Sequence, residues 1–140
     1  MGGPGFCNGK TYNIFDNFYS CVFFLDGKKY CSSEQCYQSL KFVDENYKEK
    51  IRLTFSPNSA WSLGQSREYE LIPNFEQEKV NLMYKANYAK FNCNPELAEV
   101  LINTGNYPIS FVGSTPFWNR ANSTILEKIR NELKKEINGK

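Results

Sequence analysis

The strongest constraint on the fold lies in residues 21–42, where a turn dipeptide is followed at once by a helix cap. Asp26-Gly27 separates two short β-prone runs, residues 22–25 and 28–30. A two-residue type I′ turn needs positive φ at both central positions, and Asp-Gly meets that need at little steric cost. The spacing therefore predicts a hairpin. Ser32 or Ser33 predicts the N-cap of a helix, because a serine hydroxyl accepts from the free N–H groups of a first turn. In that helix Cys36, Leu40 and Val43 make an apolar stripe, and Glu34, Gln38 and Lys41 make a polar one. Glu34 falls in the first turn, where the helix dipole favours a negative charge. It is expected to be ionised at neutral pH unless burial opposes this. An ionised carboxylate suits a base, a nucleophile or a cation stabiliser better than a general acid.

Similar punctuation continues along the chain. Ser56-Pro57 opens a helix and Gly64 closes it. Residues 75–91 form the longest amphipathic helix, with Phe75, Leu82, Met83, Ala86 and Ala89 facing inward. Asn94-Pro95 opens the next helix and Gly105 ends it. Residues 109–112 read as a short strand. The capping box Thr124-x-x-Glu127 predicts the start of the last helix, whose Ile125, Ile129, Leu133 and Ile137 face the core. Residues 1–12 are glycine-rich and are expected to be a flexible leading segment, with residues 13–140 forming one domain. The fold class is α+β, a mainly helical single domain with a small β-hairpin or sheet. A length of 140 residues suits this, and an aromatic share of 16% fills a core with few side chains.

The chain has no histidine, which excludes Ser–His and Cys–His nucleophile pairs and every imidazole metal site. Cys7, Cys21, Cys31, Cys36 and Cys93 contain no Cys-x-x-Cys pair, so neither zinc nor thioredoxin-like chemistry is supported. They read as reduced thiols of an intracellular protein. A net charge of +2 does not predict a nucleic-acid coat. No apolar run is long enough to span a membrane, and the start lacks the pattern of a signal peptide. The expectation is a cytoplasmic protein with no membrane contact. Asn122-Ser123-Thr124 matches a glycosylation acceptor, which carries little weight without a secretion signal.

The polar stripe is flanked by Phe15, Phe18, Tyr19, Phe23 and Phe24 on one side and by Tyr37 and Phe42 on the other. Aromatic walls with a few convergent polar groups are the usual form of a small-molecule site. The order Phe15-x-Asn17-Phe18, Asp26-Gly27-Lys28, Ser33-Glu34-x-x-x-Gln38-x-x-Lys41-Phe42 resembles the NADAR family, of YbiA-like fold. The likeness continues through Ser56-Pro57, Leu63-Gly64, Met83, Ala86, Ala89-Lys90-Phe91, Asn94-Pro95, Leu97, Leu101 and Thr104-Gly105. It implies an N-glycosidase that cleaves the bond between ribose and a base or amine. The implied substrates are ADP-ribosyl compounds, such as ADP-ribosylated guanine, or ribosylamine phosphates, free or linked to nucleic acid. The resemblance implies no metal, and no cofactor is expected.

On this reading Glu34 is the catalytic carboxylate, stabilising positive charge on the ribose and orienting water. Lys41 or Lys28 holds a phosphate or protonates the leaving group. Asn17 and Gln38 bind ribose hydroxyls, Phe18 adds a ring to the pocket, Trp118 stacks on the base, and Arg120 supplies charge near it. Lys28 also reads as a plain hairpin-tip lysine, and Trp118 as a core or lid ring. The chain departs from the family at Asp16, Gln35, Cys36 and Phe75. It also lacks the acidic residue before the family's Trp-Gly and the glycine-rich loop after it, having instead Pro116-Phe117-Trp118-Asn119-Arg120. A second reading follows: a non-catalytic binder or sponge of an ADP-ribose- or NAD-derived nucleotide.

Overall fold

Asp26 and Gly27 take φ values of 51° and 78°, and the hairpin closes as its turn chemistry predicts. Strand β3 (Phe23–Leu25) pairs antiparallel with β4 (Lys28–Tyr30), with Phe23 opposite Tyr30. The architecture comes from a computed structural model that describes residues 1–139. A second sheet has the order β2–β1–β5, formed by β1 (Gly5–Cys7), β2 (Lys10–Tyr12) and β5 (Ile109–Phe111), all antiparallel. The leading segment expected to be flexible therefore supplies two strands of that sheet. Asn8 and Gly9, at φ 49° and 77°, repeat the turn signal of Asp26-Gly27. The partner that buries β1 is β5, far along the chain, which short-range patterning does not reveal.

Helix α1 (Ser33–Leu40) is capped by Ser32, whose hydroxyl accepts from the Gln35 N–H. It stops at Leu40 because the chain turns out to meet residues 70–72. The Lys41 carbonyl accepts from Ile72, and the Val43 N–H donates to the Glu70 carbonyl. Val43 thus lies beyond the helix and is exposed, contrary to the predicted stripe. Helix α2 (Glu45–Arg52), with Asp44 as its cap, was not among the expected elements. Helices α3 (Pro57–Gly64), α4 (Phe75–Cys93) and α5 (Pro95–Ile102) form where the caps place them. Helix α6 (Pro116–Asn138) starts well before Thr124, because Thr115 caps it and Pro116 sits in its first turn. The Glu127 carboxylate is no capping-box partner. It accepts from the Ile109 N–H at 2.9 Å and ties α6 to β5. Ile137 is exposed, while Ile125, Ile129 and Leu133 are buried as predicted.

Three apolar clusters form around α1. Tyr37 joins the main core of Met83, Phe91, Trp118, Ile125 and Ile129. Cys36 joins Phe23, Tyr30, Ala86 and Ala89 under the hairpin. Phe42, just past the helix end, joins Tyr47, Ile51 and Ala60. A helix packed on so many sides has no room for a solvated face, so its polar stripe is buried as well.

Candidate functional site

Glu34 and Gln38 have no exposed surface, and Lys41 is 2% exposed. The Glu34 N–H donates to the Asn17 carbonyl at 2.9 Å, and Gln38 Nε2 donates to Glu34 Oε2 at 2.6 Å. Glu34 Oε1 and Gln38 Oε1 have no hydrogen-bond partner among the described residues. Leaving a buried acceptor unmet costs about 1–3 kcal/mol, so each such atom calls for an explanation. The Met1 α-nitrogen lies 3.8 Å from Glu34 Oε1. Burial pushes the Glu34 carboxyl above its ordinary pKa, against the pull of that ammonium, the Gln38 amide and Lys41. The ionisation expected of a first-turn glutamate is thus opposed, and the carboxyl keeps its proton to higher pH than an exposed one would.

Lys41 Nζ lies 5.6, 6.0 and 5.7 Å from the ring centres of Tyr37, Phe42 and Phe75. Burial and the nearby Arg67 push its ammonium down to about 8, while Glu34 pulls it back up. A carboxyl moved up and an amine moved down come closer together in pKa, which suits acid–base chemistry. Arg67, which sequence reasoning missed, is held by donation to the Gly64 carbonyl at 3.0 Å. Gly64 was read only as a helix stop. A Cβ there would fall 1.9 Å from Gln38 Oε1, so its missing side chain makes the space Gln38 occupies.

Asn17 anchors a buried amide network. Its Oδ1 accepts from Asn87 Nδ2 at 2.9 Å, and its Nδ2 donates to the Met1 carbonyl at 2.9 Å and to Asn122 Oδ1 at 3.3 Å. Ser33 Oγ bonds Asn87 Oδ1 at 3.2 Å. Asn87 gave no sequence signal, because its partners lie on other elements. Asn122 is buried inside α6, which is not the exposed loop a glycosylation acceptor needs.

A cleft of about 560 Å³ opens beside this cluster, lined by Met1, Trp61, Gln65, Lys79, Ser114, Thr115, Phe117 and Trp118. Trp118 reaches the cleft but is 5% exposed, set edge-on to Tyr37 at 5.3 Å, so it is chiefly a core ring. Trp61 is 43% exposed and offers the free stacking surface. Lys79 Nζ sits 4.4 Å from the Phe117 ring centre and places a cation at the rim. Phe18 is half-buried and packs over Gly2.

Two expected binding residues lie elsewhere. Lys28 pairs with Glu45 and Glu49 of α2, both at 3.7 Å, because the hairpin tip packs against that helix. Arg120 is exposed and lines shallow hollows with Val80, Ala121, Ser123 and Thr124 on the outer side of α6. Helical periodicity turns position 120 away from the face that carries Trp118. Among the described residues no cluster of His, Cys, Asp and Glu is arranged to hold a metal, and no helix is long and apolar enough to cross a membrane.

Comparison with known proteins identifies the family. The NADAR domain model matches residues 5–117, ending just before Trp118 and Arg120. N-glycosidase YbiA of Escherichia coli is 40% identical over 93 residues, covering 66% of this chain and 58% of that protein. An N-glycosidase of Nostoc punctiforme is 27% identical over 138 residues, covering 91% of this chain and 87% of that protein. The NMR structure of E. coli YbiA superposes with a TM-score of 0.76 at 32% identity, over 89% of this chain and 80% of that one. In sequence, the match spans less than two thirds of the length of the curated YbiA proteins. By the extent of the family match and the shared fold, the chain belongs to the NADAR domain family.

Proposed function

We propose that the protein is an N-glycosidase that hydrolyses the bond between ribose and a base or amine in an ADP-ribosyl or ribosylamine phosphate substrate. The observation that carries this reading is a fully buried Glu34 whose Oε1 accepts no hydrogen bond and faces the Met1 α-nitrogen at 3.8 Å, with Lys41 close enough to shift its ionisation. Relatives named N-glycosidase support the reaction class. In the proposed reaction the C1′–N bond breaks and the bonding pair leaves with nitrogen. The ionised Glu34 stabilises the ribosyl cation and takes a proton from the water that attacks C1′. Lys41 or the newly protonated Glu34 gives the departing nitrogen its proton. Lys41 and Arg67 offer charge to a phosphate, and Trp61 offers a face to the base. A family N-glycosidase with five free cysteines and substrates of this kind fits the cytoplasm.

The test is incubation with ADP-ribosylated guanine and with ribosylaminopyrimidine phosphates, reading released base or amine. Turnover is expected, and Glu34→Gln is expected to lower it by at least about 100-fold. Full activity in that variant, or no product from either substrate class with a folded protein, overturns the reading. A second reading, a non-catalytic nucleotide binder, draws on Met1 standing between Glu34 and the cleft. Tight ADP-ribose binding without turnover would favour it.

A further inference from the structure

Residues 1–3 do not lie loosely on the surface; they occupy a built seat. The Met1 carbonyl accepts from Asn17 Nδ2 at 2.9 Å and from Asn122 Nδ2 at 3.4 Å. The Gly3 N–H donates to Asp16 Oδ1 at 2.8 Å. Glycine is required twice. A Cβ on Gly2 would fall 2.7 Å from the Phe18 ring, and one on Gly3 would fall 2.8 Å from the Gly113 backbone, at a φ of 121° that side chains rarely adopt. The seated segment puts Met1 between the cleft and a Glu34 with no exposed surface. With Met1 seated there, Glu34 offers no exposed surface to a substrate.

We infer that Asn17 and Asn122 form the seat for an oxygen of the ligand, a hydroxyl or carbonyl, and that residues 1–3 are a displaceable internal occupant of that seat. The inference rests on the proposed Glu34 site and names Asn122 as a further binding residue of it. Asn17 and Asn122 are buried at 4% exposure each, so their amide donors need an acceptor whenever Met1 leaves. A ligand oxygen meets that need, and the segment then competes with the ligand and weakens its apparent affinity. The segment is held through its main chain, not through the Met1 side chain.

The experiment measures ADP-ribose binding by calorimetry in the full chain and in variants. Gly3→Pro removes the N–H that Asp16 holds and forbids the seated φ. Gly2→Val drives a side chain into Phe18 and unseats the segment by a different route. Both are expected to tighten ADP-ribose binding by about tenfold or more, and adding Asn122→Asp to either should cancel the gain by replacing the amide donor with an acceptor. Equal affinity in the full chain and both unseated variants overturns the internal occupant. A gain that survives Asn122→Asp overturns the amide seat. No binding in any of them, with the fold intact by circular dichroism, overturns the seat and the nucleotide reading together. Turnover of the substrates above, read on the same samples, shows whether the glycosidase reading fails alone.

Discussion

Two buried polar clusters touch α1 on neighbouring sides, and they differ in how completely they are satisfied. On one side Ser33 Oγ donates to Asn87 Oδ1, Asn87 Nδ2 donates to Asn17 Oδ1 and Asn17 Nδ2 donates to the Met1 carbonyl, while nearby Lys90 Nζ donates to the Asp16 carbonyl at 3.1 Å. On the other side Glu34 Oε1 and Gln38 Oε1 are left over. The two clusters even share a lysine of the same kind. Burial lowers both Lys41 and Lys90 to about 8, and both sit among aromatic rings. Lys90 answers to a backbone carbonyl, whereas Lys41 answers to Glu34. A saturated network stabilises one packing arrangement, while an unsaturated one keeps groups free for something that arrives.

Changes on the unsaturated side should remove activity and spare the fold, whereas a change at Asn87, which supports the amide seat from behind, should cost stability first. The largest effect is the loss of at least about 100-fold in turnover for Glu34→Gln. Lys41→Met should cost about 10- to 100-fold in turnover and leave the unfolding midpoint unchanged or raised, since it removes a buried ammonium. Rate profiles should carry an acidic limb set by Glu34, above the ordinary carboxyl range, and an alkaline limb near 8 set by Lys41. Lys41→Met should abolish the alkaline limb; an unchanged limb would assign it to another group. Asn87→Leu leaves the Asn17 amide oxygen without its donor and the Ser33 hydroxyl without its acceptor, and should destabilise by about 2–4 kcal/mol in urea unfolding. If it costs nothing, the satisfied cluster is not structural. The smallest effect is that of Gly64→Ala, whose Cβ would push Gln38 off Glu34. It should cut turnover by about tenfold and lower stability, since Gln38 is buried with little space to move into, and unaltered kinetics would break the link between Gly64 and the site.

The legible parts of this molecule were those set by neighbours in sequence. The Asp26-Gly27 turn, the Ser32 cap and the first-turn place of Glu34 all depend on residues within a few positions of one another. The same kind of local signal stands at Asn8-Gly9, Asp44 and Thr115-Pro116, which mark the β1–β2 turn, the start of α2 and the start of α6. Other features had no local signature. Nothing near Asn87 or Asn122 indicates that they meet Asn17, because those contacts arise only when α1, α4 and α6 pack. Glu34 sits in the first turn that its cap predicts, but the burial that opposes its ionisation depends on what covers α1 from three sides. Lys28 and Arg120 carried the right charge for a phosphate site, but the hairpin tip and the helical turn aim them at α2 and at the outer surface.

The central claim is that Glu34 is held unsatisfied, at a cost in stability, for use in the reaction. Its folded pKa is raised, so the folded state binds a proton that the unfolded state has released once pH exceeds about 4.5. The stability this contributes is fully present at lower pH and is lost as pH rises through the folded value. The most direct test is the unfolding midpoint of the wild type and Glu34→Gln, followed from pH 4 to pH 8 on samples also assayed for turnover. The two proteins should converge at the acidic end, and the inactive variant should become the more stable one as pH rises. A variant that is less stable than the wild type at pH 7, or that still turns over substrate, would contradict the account.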